Sequence, residues 1–200
     1  MTIRRALTAG AALLAAAVLS TTPAHATGLT YAVTAGGSSA PGSAPFSATP
    51  SGALAIAGYT CTGPTSSTGT ISRGPSVLNI LSASLTTSGC GGMGSATITF
   101  SGGWLMHGTS PATSATNDVV SVHLHGVNVT VNGGTICRFT ATGQLDGSFD
   151  EATQTLTINE TAATSDLIAA NVIGCFGIVK SGGGVPVNVS LVTPSALYLG

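Results

Sequence analysis

Charged side chains are scarce in this 200-residue sequence: Asp, Glu, Lys and Arg make up 6% of it, against roughly 25% in an ordinary soluble protein. After residue 26 the cations are Arg73, Arg138 and Lys180, and six acids leave a net charge of −3. No basic patch exists to replace the counterions of phosphates or to hold anionic lipid headgroups. We therefore expect no nucleic-acid partner and no electrostatic attachment to a membrane.

Aromatic residues and long apolar runs are also few. Aromatics make up 4% of the sequence, and Trp104 is its single tryptophan. Because Trp104 stands beside Leu105 and Met106, we predict that it fills the core and does not stack on a sugar. After residue 26 the longest apolar stretch, 167–179, is interrupted by Asn171 and Gly174 and is too short to span a bilayer. We expect no membrane anchoring of the processed chain.

Motifs for nucleophilic, redox and phosphate chemistry are missing as well. The sequence contains no G-x-S-x-G, no C-x-x-C and no G-x-x-x-x-G-K-[ST]. Asp150 and Glu151 are neighbours, and we predict that they form a hairpin turn and not a catalytic carboxylate pair. The sequence thus favours a non-catalytic protein, and it points to no catalytic residue and no cofactor.

The first 26 residues, by contrast, have the organisation of a secretory signal peptide. Arg4 and Arg5 precede an alanine- and leucine-rich core, and a small-x-small site ends at Ala26. We predict cleavage there, release into the extracellular space by either the general secretory or the twin-arginine route, and a single β domain over 27–200.

Short alternating apolar segments, separated by Gly, Ser, Thr and Pro, predict strands in the rest of the chain. The spacing favours an all-β fold, an antiparallel β-sandwich or barrel-like domain of about ten strands. We expect irregular segments over 36–51 and 109–117. The alternation of Val120, Val122 and Leu124 resumes one residue out of phase at Val127, which predicts a β-bulge at Gly126.

A weak internal repeat suggests a duplication with halves of about 29–112 and 118–200. In each half a cysteine is followed by a G-x-[IL] element and later by Gly-Cys-x-Gly. Four cysteines allow three disulfide connectivities. Equivalent halves select Cys61–Cys90 and Cys137–Cys175.

The pair His123 and His125 is the best candidate for site chemistry. Residues two apart on a strand share a face, so both imidazoles point to the same side and could form half of a zinc or copper site. A third ligand would have to come from the fold, and the candidates are His107, Asp118, Asp146 and Glu160. Two histidines exposed on a sheet, without a metal, are the simpler alternative.

Three short motifs make the chain similar to a group of small secreted actinobacterial all-β proteins with no assigned activity. They are Cys61-Thr62, the His123-x-His125 strand and the run Gly174-Cys-Phe-Gly-Ile178. The resemblance implies a secreted all-β protein and implies no catalytic residue.

Three functions are compatible with this sequence. The first is a secreted, non-catalytic extracellular or cell-envelope module that binds another macromolecule. The second is a metal-binding protein or metal-dependent secreted enzyme that uses His123 and His125. The third is a secreted protease inhibitor with an exposed, disulfide-flanked loop such as Cys90 to Met93.

Overall fold

The computed structural model describes residues 28–63, 65–194 and 196–200, so the predicted signal peptide lies outside the described residues. Within them it contains fifteen strands and one short turn of 3₁₀ type at Cys175–Gly177. The strands are β1 (Tyr31–Ala35), β2 (Gly42–Pro50), β3 (Leu54–Ile56), β4 (Tyr59–Cys61), β5 (Ser66–Val77), β6 (Leu81–Thr86), β7 (Cys90–Gly91), β8 (Thr97–Phe100), β9 (Trp104–Gly108), β10 (Val119–Gly133), β11 (Cys137–Asp150), β12 (Thr155–Glu160), β13 (Leu167–Gly174), β14 (Val187–Val192) and β15 (Leu197–Leu199).

Eight of these strands form a closed antiparallel barrel. In order around the ring they are β2, β5, β6, β9, β10, β11, β12 and β14. The ring closes where β14 pairs with β2, through Leu191 opposite Pro50 and Val192 opposite Thr49. The predicted all-β, barrel-like domain is confirmed. The number of strands exceeds ten because seven further strands, most of them short, pair around the outside of the ring.

The two parts of the chain contribute equally to the barrel. Four ring strands precede the loop 109–118 and four follow it. The disulfides, however, occupy different places: Cys61–Cys90 joins β4 to β7, whereas Cys137–Cys175 joins the start of β11 to the turn after β13. Both predicted cysteine pairs are confirmed, and the described residues contain no free cysteine. The duplication itself stays a prediction.

The long strand β10 shows how the sequence pattern builds the barrel wall. Val120, Val122 and Leu124 are buried, and so is Val127. Between Leu124 and Val127 the pairing of β10 with β11 shifts, and Gly126 lies in the left-handed region with a φ of +74°. This is the predicted β-bulge, and it keeps the apolar residues on both sides of Gly126 facing the core.

The interior of the barrel is packed with apolar side chains. Two voids in it have volumes of about 20 and 10 Å³, close to the size of a water molecule. An eight-stranded barrel is just wide enough for side chains to fill it. The packed interior therefore leaves the outer surface as the place for a functional site. None of the helices in the described part of the chain is long and apolar enough to cross a membrane.

The prediction of an irregular segment over 36–51 is wrong for most of its length, because Gly42–Pro50 is strand β2. Its composition is that of a loop, but Phe46 and Ala48 are buried. Around Pro45, β2 pairs only with β5. A strand paired on one side accepts proline, since the missing N–H need not bond to a second neighbour.

Candidate functional site

Three histidines, His107, His123 and His125, lie together on the outer face of β9 and β10. The pairing of these strands places His107 directly opposite His123. The ring centroids of His107 and His125 are 4.4 Å apart, and those of His123 and His125 are 5.9 Å apart. We call these three residues the histidine cluster. It contains every histidine after residue 26, although His107 is separated from the other two by a loop.

Two of these histidines, His123 and His107, each have one ring nitrogen in contact with an oxygen acceptor. Asp146, opposite His123 in the pairing of β10 with β11, contacts Nδ1 of His123 through its Oδ1. On the other side of the cluster, Oδ1 of Asn79 contacts Nε2 of His107. The sequence offered Asp146 as a candidate third metal ligand but gave no sign of Asn79, which lies between β5 and β6 and belongs to no recognisable motif.

Burial and the neighbouring histidines favour the neutral form of His107. Its pKa is lowered from the ordinary value of 6.5, first by burial and then by the positive charges that His125 and His123 would carry. A neutral imidazole has one nitrogen with a free lone pair and can act as a ligand.

The fold brings two of the four candidate third ligands to the histidines and keeps the other two away from them. His107 and Asp146 reach the cluster, whereas the Asp118 carboxylate accepts hydrogen bonds from Thr113 and Ser114 in the loop before β10. Glu160 lies beyond Asp146 and accepts the Asp146 N–H at 2.6 Å. With the side chains as they stand, no three His, Cys, Asp or Glu residues in the described part of the chain are arranged to hold a metal ion. Metal binding by His123 and His125 therefore stays a prediction.

An open depression adjoins the histidine cluster at Asp146. Its volume is about 380 Å³, and its lining includes Asp146, Ser148, Thr157, Asn159, Glu160 and Thr164. The Glu160 carboxyl is largely buried, and burial is the main cause that raises its pKa. Hydrogen bonds from the Asp146 N–H and the Ser165 hydroxyl lower this pKa, and the charges of Asp146 and Asp166 raise it further.

The raised pKa of Glu160 predicts a stability change when this residue is replaced by Gln. The folded protein holds the proton of Glu160 more tightly than the unfolded chain, whose pKa is near 4.5. The contribution of Glu160 to stability is therefore greatest below that pH and falls as the pH rises through the folded value. Glu160→Gln should raise the free energy of unfolding at pH 7 by on the order of 0.5 kcal/mol, since solvent in the depression screens much of the cost. The gain should vanish below pH 4, as measured by urea unfolding between pH 3.5 and 7.5.

Asp150→Asn is the control for this series, because hydrogen bonds from Thr153 and Ala152 lower the pKa of Asp150. Its carboxylate stabilises the fold above the ordinary pKa, so Asp150→Asn should lower stability at neutral pH and have less effect in acid. If both variants changed stability in the same direction at pH 7, the assignment of Glu160 as a destabilised carboxylate would be wrong.

A second surface feature surrounds the Cys137–Cys175 disulfide. Four large apolar side chains are exposed there: Ile136 at 36%, Ile173 at 54%, Phe176 at 81% and Ile178 at 48%. We call them the apolar tip. Two of the cations, Arg138 and Lys180, follow Ile136 and Ile178 at a distance of two residues.

The backbone that carries Phe176 has an unusual and well-fixed conformation. The φ angles of Gly174, Cys175, Phe176 and Gly177 are +76°, +66°, +46° and +77°. The Cys175 N–H donates to the Ile136 carbonyl at 2.8 Å, and the Ile178 N–H donates to the Cys175 carbonyl at 2.9 Å. A Cβ atom at Gly174 would lie 2.2 Å from the Ile136 carbonyl oxygen, so this position requires glycine.

The candidate inhibitor loop, Cys90 to Met93, is a β-strand over its first two residues. Cys90 and Gly91 form β7 and pair with Cys61 and Thr60 of β4. Cys90 is buried and Met93 is half-buried against the core. The most exposed large apolar side chain next to a disulfide in the described residues is instead Phe176.

The chain matches no known family model, and it has no significant match among curated proteins or solved structures. The resemblance to small secreted actinobacterial proteins therefore stays a prediction.

Proposed function

We propose that this protein is a secreted, non-catalytic module that binds another protein, outside the cell or at the cell envelope, through the apolar tip. The observation that carries the proposal is Phe176, a large aromatic side chain that is 81% exposed on a left-handed turn.

The position of Phe176 has a cost in stability that the folded chain does not offset. A left-handed conformation costs a residue other than glycine roughly 1–2 kcal/mol. A buried aromatic could offset this cost through packing, but Phe176 leaves most of its surface in water. Strain of this kind at an exposed residue is characteristic of functional sites. An aromatic side chain held rigidly in place is the usual centre of a protein interface, because little entropy is lost on binding.

Other features support the location and the type of partner. The two disulfides are compatible with an oxidising extracellular environment, and the first 26 residues predict export. The packed interior supports binding on the surface. The net charge of −3 after residue 26 opposes attachment of the whole chain to an anionic lipid surface, and Arg138 and Lys180 beside the apolar tip suit an acidic surface on a protein partner.

Replacing Phe176 by Gly should separate binding from folding. Gly relieves the left-handed strain but loses more entropy on folding, so the free energy of unfolding should stay unchanged or rise by up to about 1 kcal/mol. Binding should fall at least about tenfold, as expected for an aromatic at the centre of an interface. The probe is the labelled chain from Thr27 to Gly200, titrated onto intact cells of the organism that secretes it, before and after protease treatment of their surface.

Val119→Ser is the matched control, because Val119 is 66% exposed but lies at the start of β10, outside the apolar tip. We expect saturable, protease-sensitive binding that Phe176→Gly weakens and Val119→Ser does not. Binding that is insensitive to Phe176→Gly, or absent, would refute the proposal. Binding that survives protease and transfers to vesicles of anionic phospholipid would show a lipid surface and overturn the protein partner.

A further inference from the structure

We propose that the histidine cluster binds one divalent ion of borderline softness, such as Zn²⁺ or Cu²⁺, through His107, His123 and His125. The observation that carries the proposal is that three half-buried imidazoles from two neighbouring strands lie together on the outer face of the sheet, with an oxygen acceptor on either side. This site is separate from the apolar tip and does not depend on the proposed protein partner.

The spacing of the rings is close to that of a metal site. Imidazole nitrogens bind Zn²⁺ at about 2.0–2.1 Å, so two rings at a tetrahedral angle have their centres about 5 Å apart. The observed separations of 4.4 Å and 5.9 Å lie on either side of this value. One ion shared by the three rings therefore requires side-chain rotation, because with the side chains as they stand no three such residues in the described part of the chain are arranged to hold a metal ion.

The Asp146 and Asn79 oxygens determine which nitrogen of His123 and of His107 is available to the ion. In neutral His123, Nδ1 donates its proton to Asp146, which leaves the lone pair on Nε2. In neutral His107, Nε2 donates to Asn79, which leaves the lone pair on Nδ1. A carboxylate or carbonyl on the second nitrogen is the usual support of a metal-binding histidine. Asp146 and Asn79 are thus positioning residues, and they do not touch the ion.

The ligand type selects the class of ion. Imidazole suits Zn²⁺, Cu²⁺ and Ni²⁺, whereas Ca²⁺ and Mg²⁺ require oxygen ligands. No thiolate is available among the described residues, because all four cysteines are in disulfides. Three neutral imidazoles leave the charge of the ion uncompensated, and the nearby Asp146 carboxylate supplies a negative charge.

The single tryptophan offers a direct readout. Trp104 is buried on β9, three residues before His107 and therefore about 10 Å from it along the strand. Cu²⁺ bound to the cluster should quench the fluorescence of Trp104. The experiment uses the full chain from Thr27 without an affinity tag, titrated with Cu²⁺ and with Zn²⁺ by calorimetry. The Cu²⁺ complex is also examined by electron paramagnetic resonance, which counts bound nitrogens.

We expect one ion per chain and a spectrum with three nitrogen ligands. His107→Gln, His123→Gln and His125→Gln should each weaken binding on the order of 100-fold, because only two imidazoles remain. Asn79→Ala and Asp146→Asn should weaken it about 10-fold while the spectrum still reports three nitrogens, as expected for positioning residues. Asp166→Asn, which changes an acid outside the cluster, and Phe176→Gly should have no effect.

Circular dichroism and thermal unfolding without metal check that each variant is folded. Less than half an ion per chain, a spectrum with one or two nitrogens, or unchanged affinity in His107→Gln would overturn the three-histidine site. Because Phe176→Gly tests the apolar tip in the same preparations, failure of one proposal can be told from failure of the other.

Discussion

Replacing Cys137 and Cys175 together by Ala should lower the free energy of unfolding by about 4 kcal/mol and abolish binding through the apolar tip. The bond closes a loop of 38 residues, and loops of this length lose roughly that much when the unfolded chain is no longer cross-linked. Both cysteines are fully buried. The bond also holds Cys175 in the left-handed region beside Phe176, and without it the strained turn can relax. Urea unfolding and the cell-binding titration measure the two effects.

The double variant Cys61→Ala with Cys90→Ala is the control for the loss of binding through the apolar tip. Its loop of 29 residues predicts a similar loss of about 3.5 kcal/mol. Its position between β4 and β7, however, gives it no part in the turn that carries Phe176. Equal loss of binding in the two double variants would mean that binding follows global stability and does not require a rigid turn at the apolar tip.

Much of the fold could be predicted because it follows from local patterns. The alternation around Gly126 predicts both the strand and its bulge, since only glycine adopts that left-handed conformation without cost. Strand β2 was not predictable from composition, because its residues have low strand propensity. Its pairing with β5 and the burial of Phe46 determine its structure, and both are tertiary effects.

The histidine cluster was only half predictable for a related reason. The shared face of His123 and His125 follows from the two-residue period of a strand. The place of His107 depends instead on which strand neighbours β10 and in which register. Neither can be read from a single sequence when a ten-residue loop, 109–118, separates the strands. The apolar tip was missed because an exposed Phe in a Gly-Cys-Phe-Gly run has no periodicity.

Glu151 lies in the predicted hairpin turn, but it also has a buried role that the sequence does not predict. The sequence predicts a turn residue next to Asp150, and Asp150 does accept turn hydrogen bonds from Ala152 and Thr153. Glu151, however, is 1% exposed. Its Oε2 accepts the Asp118 N–H at 3.0 Å, and its Oε1 accepts the N–H of Leu199 in β15. One carboxylate therefore joins the β11–β12 turn, the residue preceding β10 and the last strand.

Replacing Glu151 by Gln should therefore lower the free energy of unfolding by about 2–4 kcal/mol, although the side chain keeps its size. Both carboxylate oxygens accept a backbone N–H, and the amide nitrogen of Gln cannot accept, so one buried donor would face another donor. Glu160→Gln is the matched control, because it makes the same chemical change at a largely buried carboxyl where we expect a small gain. Urea unfolding at pH 7 measures both variants, and amide hydrogen exchange at Leu199 and Asp118 shows where protection is lost. A loss below about 1 kcal/mol in Glu151→Gln would show that water or a shifted backbone satisfies these donors, and that Glu151 does not hold the three segments together.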